Sequence, residues 1–192
     1  MESKEKHYKE ISATWRNFEQ IIEELKLKQE DLEDKIILDI GSGGGGFAAG
    51  VKENPELNSR VISLDPNYNL EKLSEENANL IKKAVRELKS EQLPMVAGLS
   101  QELPFKDESI DLVISNHAVP WHILDSADKV SKSIKEMIRV LKPGGEIRLH
   151  PVDEKIYNIV AIIIEGVKRK ELELKRREDL VIIRKVVMEN KE

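Results

Sequence analysis

Residues 35–47 read KIILDIGSGGGGF, and no other stretch constrains the fold as strongly. The run KIILDI (35–40) is short, apolar and rich in isoleucine, and it stops at a glycine cluster, which predicts a buried strand. The glycines lead into FAAGVKENPEL, which predicts a short helix ended by Asn54-Pro55. A strand that opens a helix through a glycine loop belongs to an α/β sheet, and such sheets bind ligands at the carboxyl ends of their strands. Glycine lets the chain turn tightly there and lets a ligand approach the main chain.

The rest of the chain alternates in the same way. Arg60 to Leu64 (RVISL) predicts a strand ending at Asp65-Pro66. Residues 69–90 predict one long helix or two broken ones. Pro94 to Ala97 and Ile110 to Ser115 predict strands. Ser126 to Leu141 predicts a helix with Val130, Ile134, Met137, Ile138 and Leu141 on one face. Lys142-Pro143-Gly144-Gly145 predicts its stop. Glu146 to Leu149 predicts a strand and Glu154 to Lys168 a helix. Glu171 to Lys175 and Leu180 to Val187 predict a closing hairpin, which must pair antiparallel at one edge. At the other end, Tyr8, Ile11, Trp15, Phe18, Ile22 and Leu25 recur at steps of three and four. They predict one amphipathic helix that fades around Gln29 to Asp34. The expected fold is therefore α/β, with a mainly parallel sheet.

Composition narrows the chemistry. The 192 residues suffice for one domain with its own core. A net charge of −5 argues against a general nucleic-acid binder, and DNA is not an expected partner. The absence of cysteine excludes a disulfide framework, a thiol nucleophile and every Cys-ligated metal site. With 4 His in the chain, no metal is expected. The N-terminal MESKEKHYKE has no apolar core, and the longest apolar run, Ile159 to Ile164, is far too short to span a bilayer. A cytoplasmic protein without a membrane partner is expected.

Two ligand readings of the glycine loop are open. Gly41, Gly43 and Gly46 satisfy G-x-G-x-x-G, the dinucleotide fingerprint, but a run of glycines satisfies many patterns. Asp39 points elsewhere. A carboxylate just before the first glycine repels a pyrophosphate and attracts an ammonium group. S-adenosylmethionine carries an ammonium and a sulfonium and no phosphate. Asp65, at the end of the next strand, suits both readings, because a carboxylate there can hold ribose hydroxyls. Pro66 beside it offers an apolar surface to an adenine.

Four stretches then resemble the class I S-adenosylmethionine-dependent methyltransferases, in the family's order. They are ILDIGSGGGGF, VISLDPN, ELPFKDESIDLVISNHAV and IKEMIRVLKPGGEIRL. The resemblance covers nearly the whole chain. It implies a Rossmann-like seven-stranded sheet in the order 3-2-1-4-5-7-6, with the last strand antiparallel and helices on both faces. It implies one methyltransferase domain over 1–192, made of an N-terminal helical lid (1–34), a cofactor-binding core (35–150) and a C-terminal helix and hairpin (151–192). It implies S-adenosylmethionine as cofactor. Asp39 would hold the methionine ammonium. The backbone of Gly41, Ser42 and Gly43 would line the methionine and ribose. Asp65 would take the ribose hydroxyls, with Pro66 against the adenine. Backbone at Leu99 and Ser100 would lie beside the adenine edge, and Asn116 would meet the methionine end. Many relatives carry an acidic residue where this chain has Leu99, so Gln101, Glu102 or backbone would take the adenine amine.

The acceptor side is less determined. Methyl transfer is an in-line displacement at a carbon that the sulfonium already activates, so alignment can suffice. A base is needed only if the acceptor must lose a proton. His117 and His122 are the candidates for that base. Together with Trp121 they form the expected acceptor wall. Tyr8 and Trp15 resemble the family's aromatic lid, although an aromatic stripe at helical spacing equally suits a core. A small-molecule acceptor is expected. Two other readings remain: a methyltransferase-like binding module without turnover, and an enzyme acting on RNA or protein.

Overall fold

The computed structural model describes residues 16–72, 75–167 and 171–187. Seven strands form one sheet: β1 (Ile36–Ile40), β2 (Arg60–Leu64), β3 (Met95–Val96), β4 (Ile110–Asn116), β5 (Leu141–His150), β6 (Leu172–Arg177) and β7 (Leu180–Lys185). Their order is β3-β2-β1-β4-β5-β7-β6, as the resemblance implied. Strands β1 to β5 pair in parallel, and β7 runs antiparallel between β5 and β6. The described helices are α1 (Phe18–Glu24), α2 (Gln29–Leu32), α3 (Gly46–Glu53), α4 (Glu75–Ser90), α5 (Ala127–Val140) and α6 (Glu154–Gly166).

Strand alternation explains why helices cover both faces. In β1, Ile37 packs with α1, α2 and α3, whereas Leu38 and Ile40 pack with α5 and α6. In β4, Leu112 and Ile114 face the first core and Val113 the second. A strand buried on both faces reads as a near-continuous apolar run, and IILDI and IDLVIS are such runs interrupted only by Asp39, Asp111 and Ser115. Ile81, Val85 and Leu88 of α4 close a third cluster over Tyr68.

Three segments depart from the expected elements. The single helix expected from Tyr8, fading over Gln29 to Asp34, is not continuous: within the described residues α1 begins only at Phe18 and ends at Glu24, and Gln29–Leu32 forms the separate α2 where the fade was expected. Asn17 caps α1: its side chain accepts from the Gln20 N–H, and the Gln20 side chain accepts from the Asn17 N–H. This reciprocal cap stops the helix from extending backwards. Tyr8, Ile11 and Trp15 lie outside the described residues. In the 69–90 segment, a 3-10 turn at Leu70–Lys72 precedes α4.

The third departure concerns Lys142 to Gly145. These residues do not form a free turn, for β5 begins at Leu141, directly after α5. Pairing with β4 jumps from Ile110↔Leu141 to Leu112↔Glu146, which is a bulge. Lys142 Nζ reaches both Asp111 oxygens, at 2.9 and 2.8 Å, and Asp111 Oδ2 also accepts the Ile36 N–H at 2.9 Å. A Cβ on Gly145 would lie 2.7 Å from the Asp111 carbonyl oxygen, so only glycine permits this approach.

Arg139 joins two of the recognised stretches into one unit. Its guanidinium donates to the carbonyls of Leu103 (2.9 Å) and Phe105 (2.8 Å) and pairs with Glu136 and Asp107 (both 2.7 Å). Glu136 in turn accepts the Leu103 N–H at 2.9 Å. Lysine cannot reproduce this planar fork. Arg139→Lys should therefore lower unfolding stability by about 1–3 kcal/mol, the cost of leaving charge-assisted bonds unmade. Urea denaturation would measure it, and an unchanged midpoint would refute the clamp.

A buried arginine positions the N-terminal segment. Arg148 of β5 donates to the carbonyls of Leu25 (3.1 Å) and Lys26 (2.8 Å) and pairs with Asp31 and Glu146. The turn after α1 is thereby tied to the sheet.

Candidate cofactor and acceptor site

The strand order reverses between β1 and β4, so the loops that follow them part and leave a cavity. Of the residues singled out from sequence, Gly41, Gly43, Asp65, Pro66, Leu99, Ser100, His117 and His122 line it. Ile40, Leu64, Asn67, Gly98, Gln101, Ala118, Val119 and Ile123 complete the wall. Gln101 is therefore the polar side chain near Leu99, whereas Glu102 is not on the wall. Leu99 is 58% exposed and gives the mouth an apolar lip.

The glycine loop is shaped by left-handed backbone: φ is +75° at Gly41, +52° at Gly43 and +75° at Gly45. Gly41 also allows the two loops to touch. A Cβ there would lie 2.1 Å from the Ala118 Cβ. Tyr68 supports the loop from below, in a role not assigned from sequence. Its hydroxyl shares a hydrogen bond of 2.9 Å with Ser42 Oγ and donates to the Gly43 carbonyl at 3.0 Å. The Ser42 side chain thus points to Tyr68, and Ser42 is not on the cavity wall.

Two buried carboxylates stand behind the loop. Asp65 Oδ2 accepts the Gly43 N–H at 3.1 Å and Oδ1 the Asn67 N–H at 2.8 Å. A carboxylate offers about four acceptor positions, so two are left for hydroxyls. Burial raises the Asp65 carboxyl above its usual range, and the two backbone bonds oppose that rise. Asp39 differs. Among the described residues no donor reaches its carboxylate, and burial, then the charge of Asp65, pushes it up to about 7.

Two expected contacts take another form. Asn116 does not face the cavity. Its Nδ2 donates to Glu24 Oε2 at 2.7 Å, and its Oδ1 lies 2.9 Å from His150 Nδ1. Trp121 is not on the cavity wall either. It packs against the larger core and its indole N–H donates to the Pro151 carbonyl, so it supports the loop after β4 from behind. His122 is exposed at the mouth, where its ring favours the charged form of Asp65.

His117 is half-buried in the left-handed region, with φ +53°. Burial, then Arg16, holds its ring below the usual histidine range, against the pull of Glu24. Among the described residues no hydrogen bond within 3.5 Å reaches its buried Nε2, and Glu24 Oε1 lies 3.6 Å away. Burial alone would raise Glu24, but the bond from Asn116 and the charge of Arg16 outweigh it and keep the carboxyl low. Sequence spacing gave no sign of Glu24 or His150, because they reach Asn116 only through α1 docking and the β4–β5 register, Asn116↔His150.

The profile described as "Methyltransferase domain" matches residues 38–149, more than half of the chain. The chain belongs to this methyltransferase family. Among curated relatives, a ubiquinone/menaquinone biosynthesis C-methyltransferase from Brucella anthropi is 30% identical over 129 residues, which is 63% of this chain and 44% of that protein. A demethylmenaquinone methyltransferase from Oceanobacillus iheyensis is 28% identical over 110 residues, 57% of this chain and 41% of that one. The chain thus spans less than half the length of these relatives. Among solved structures, a SAM-dependent methyltransferase from Aquifex aeolicus superposes with a TM-score of 0.54 at 18% identity, covering 86% of each chain. One from Methanosarcina mazei gives 0.56 at 18% identity, covering 81% of this chain and 94% of that chain. These likenesses confirm the fold.

The cofactor that this methyltransferase family implies is S-adenosylmethionine, and the residues fit it. A buried carboxylate without a donor, set beside a glycine loop, is an incomplete arrangement for an apoprotein and a suitable one for an ammonium ligand. A pyrophosphate would meet the Asp65 carboxylate on the wall with Asp39 behind it, and among the described residues no lysine or arginine lines the cavity. The nicotinamide reading of the glycines is therefore dropped.

Proposed function

We propose that this protein binds S-adenosylmethionine in the β1–β4 cavity and transfers its methyl group to a small-molecule acceptor. The observation that carries the reading is the buried Asp39 carboxylate, unpartnered at the foot of the glycine loop. When bound, S-adenosylmethionine supplies a methyl carbon activated by its sulfonium for in-line displacement. The chain's own part is to bind and align. Asp39 attracts the ammonium, Asp65 takes the ribose hydroxyls, and Pro66 and Leu99 flank the adenine. Val119, Ile123 and His117 offer a largely apolar wall to the acceptor. The ubiquinone/menaquinone and demethylmenaquinone methyltransferases to which the chain is similar support an acceptor of quinone size. An RNA or protein substrate finds little support. Lys175 pairs with Glu173 at 3.3 Å and Arg176 donates to the Glu178 carbonyl at 3.0 Å, so the basic residues of β6 are interleaved with acids. No described helix is long and apolar enough to cross a membrane.

A thermal-shift titration tests the reading. S-adenosylmethionine or S-adenosylhomocysteine at ~100 times its dissociation constant should add about 2.7 kcal/mol, roughly 5–10 °C for a chain of this size. NAD should add nothing. The ammonium needs a charged Asp39, and that carboxyl is pushed up to about 7. Affinity should therefore fall as pH drops below about 7, by up to about tenfold per pH step, and binding should release a proton. Calorimetry at pH 6 and pH 8 reads both effects. Stabilisation by NAD instead would overturn the assignment. Binding without any labelled methyl product, across quinols, phenols and carboxylic acids, would favour the binding-module reading.

A further inference from the structure

Glu24 of α1, His117 after β4 and His150 at the end of β5 each offer one ligand atom, and these atoms lie within 4.8 Å of one another. We propose that Glu24, His117 and His150 form a binding site for a divalent first-row transition-metal ion at the acceptor end of the cavity. The proposal rests on the methyltransferase reading only for what the ion does there, not for whether it binds.

Two imidazoles and one carboxylate suit zinc, iron, cobalt or manganese and disfavour magnesium. Ligand atoms about 2.0–2.2 Å from a zinc ion lie about 3.3–3.5 Å apart in a tetrahedron. The 3.6 Å between His117 Nε2 and Glu24 Oε1 is already close to that spacing. His117 Nε2 is also one of two buried side-chain nitrogens without a hydrogen-bond partner among the described residues. An ion would satisfy it.

The surroundings have the form that metal sites use. His150 Nε2 lies 3.1 Å from Asp179 Oδ2. Asn116 Oδ1, 2.9 Å from Nδ1, is an acceptor like Asp179, so the ring stands between two acceptors. An ion at Nδ1 would take the place of the proton that faces Asn116, while the proton on Nε2 stays with Asp179. A carboxylate behind a ligating histidine fixes its tautomer and raises its basicity. Asn116 holds Glu24 by donating to its Oε2 at 2.7 Å, which favours the charged carboxylate that an ion needs. Three protein ligands leave a tetrahedral ion one open position.

Arg16 opposes the cation. Its Nε lies 3.1 Å from Glu24 Oε2, and its Nη1 is buried without a partner among the described residues. Glu24 and Asp179 together still outweigh this one guanidinium, and the two histidines are neutral ligands when bound.

His117 belongs both to the cluster and to the cavity wall. An ion held there can take an oxygen of the acceptor and favour loss of its proton. The proton leaves to solvent, the acceptor oxygen bonds to the methyl carbon, and the carbon–sulfur bond breaks with its electron pair passing to sulfur. The acceptor class is then a molecule with an ionisable hydroxyl or carboxyl oxygen.

The test is metal binding by the whole chain. Protein stripped with a chelator is titrated with Zn2+, Co2+ and Mg2+, read by calorimetry and by the visible absorption of Co2+. One equivalent of Zn2+ or Co2+ and no Mg2+ is expected. Asp179→Asn should weaken binding about 10- to 100-fold. His150→Ala should abolish it. Arg16→Met should strengthen it several-fold, an opposite sign that a merely destabilised fold would not give. Zn2+ affinity unchanged in both His150→Ala and Asp179→Asn, or no binding in the parent protein, overturns the proposal. The S-adenosylmethionine thermal shift, run in chelator, reports separately on the methyltransferase reading.

Discussion

Replacing Asp39 by Asn is expected to stabilise the ligand-free protein at pH 8 and to weaken S-adenosylmethionine binding about 30-fold or more. The carboxyl is pushed up to about 7 from an ordinary 3.8 by burial and by Asp65. The fold therefore binds this proton more tightly than the unfolded chain does. The stability that this confers is fully present below about pH 4 and is lost as pH rises through about 7. At pH 8 the buried charge costs about 4 kcal/mol. An amide left without partners still costs about 1–2 kcal/mol, so the net gain is about 2–3 kcal/mol, or roughly 4–12 °C. The gain should be smaller at pH 5, where the parent carboxyl is protonated. The same substitution removes the charge that attracts the ammonium, a loss of about 2 kcal/mol or more. Thermal denaturation at the two pH values and calorimetry with the cofactor measure the pair of effects. A variant less stable than the parent at pH 8 would show that Asp39 is structurally paired rather than reserved for a ligand.

Gly41→Ala is expected to lose about 2–5 kcal/mol of stability and most cofactor binding. Two costs combine. At φ +75° an L-residue is strained, by about 1–2 kcal/mol. The added methyl would also lie 2.1 Å from the Ala118 Cβ, and overpacking of this kind costs about 1–3 kcal/mol. Relief requires the loops after β1 and β4 to move apart, and both line the cavity. Gly144→Ala separates the two costs. Its φ is +83°, but its nearest neighbour outside the adjoining residues is the Val187 Cγ2 at 3.7 Å. It should lose only the conformational part, about 1–2 kcal/mol, and keep its cofactor affinity. Equal losses in the two variants would refute the close approach as the cause.

Much of the cofactor half of the site was legible because it is local. KIILDI, the glycine loop and FAAGV are contiguous, and a strand, a turn and a helix follow from apolar alternation and glycine alone. Asp65 is legible for the same reason, since it ends the next strand. Leu99 and Ser100 reach the wall as expected from their place after β3. Trp121 and Asn116 were misplaced because chain position near a strand end does not say which way a side chain turns. Trp121 turns toward a carbonyl 30 residues away, and Asn116 toward a helix 92 residues away. The Lys142-Pro143-Gly144-Gly145 stretch reads as a helix stop in isolation. It becomes a bulge because Asp111 of the neighbouring strand takes the lysine and leaves room only for glycine.

The sequence by itself carried the alternation of strands and helices and the position of two carboxylates beside a glycine loop, since periodicity and local chain chemistry hold that information, while the strand order was implied by the resemblance of its motifs to a family. Only the tertiary structure decided the state of those carboxylates and the makeup of the acceptor end. Burial sets how costly the Asp39 charge is, and burial is a property of everything packed around it. Glu24, His117 and His150 meet because Arg148 docks the turn after α1 onto β5 and because β4 and β5 are in register, contacts between residues far apart in the chain that no window of sequence contains.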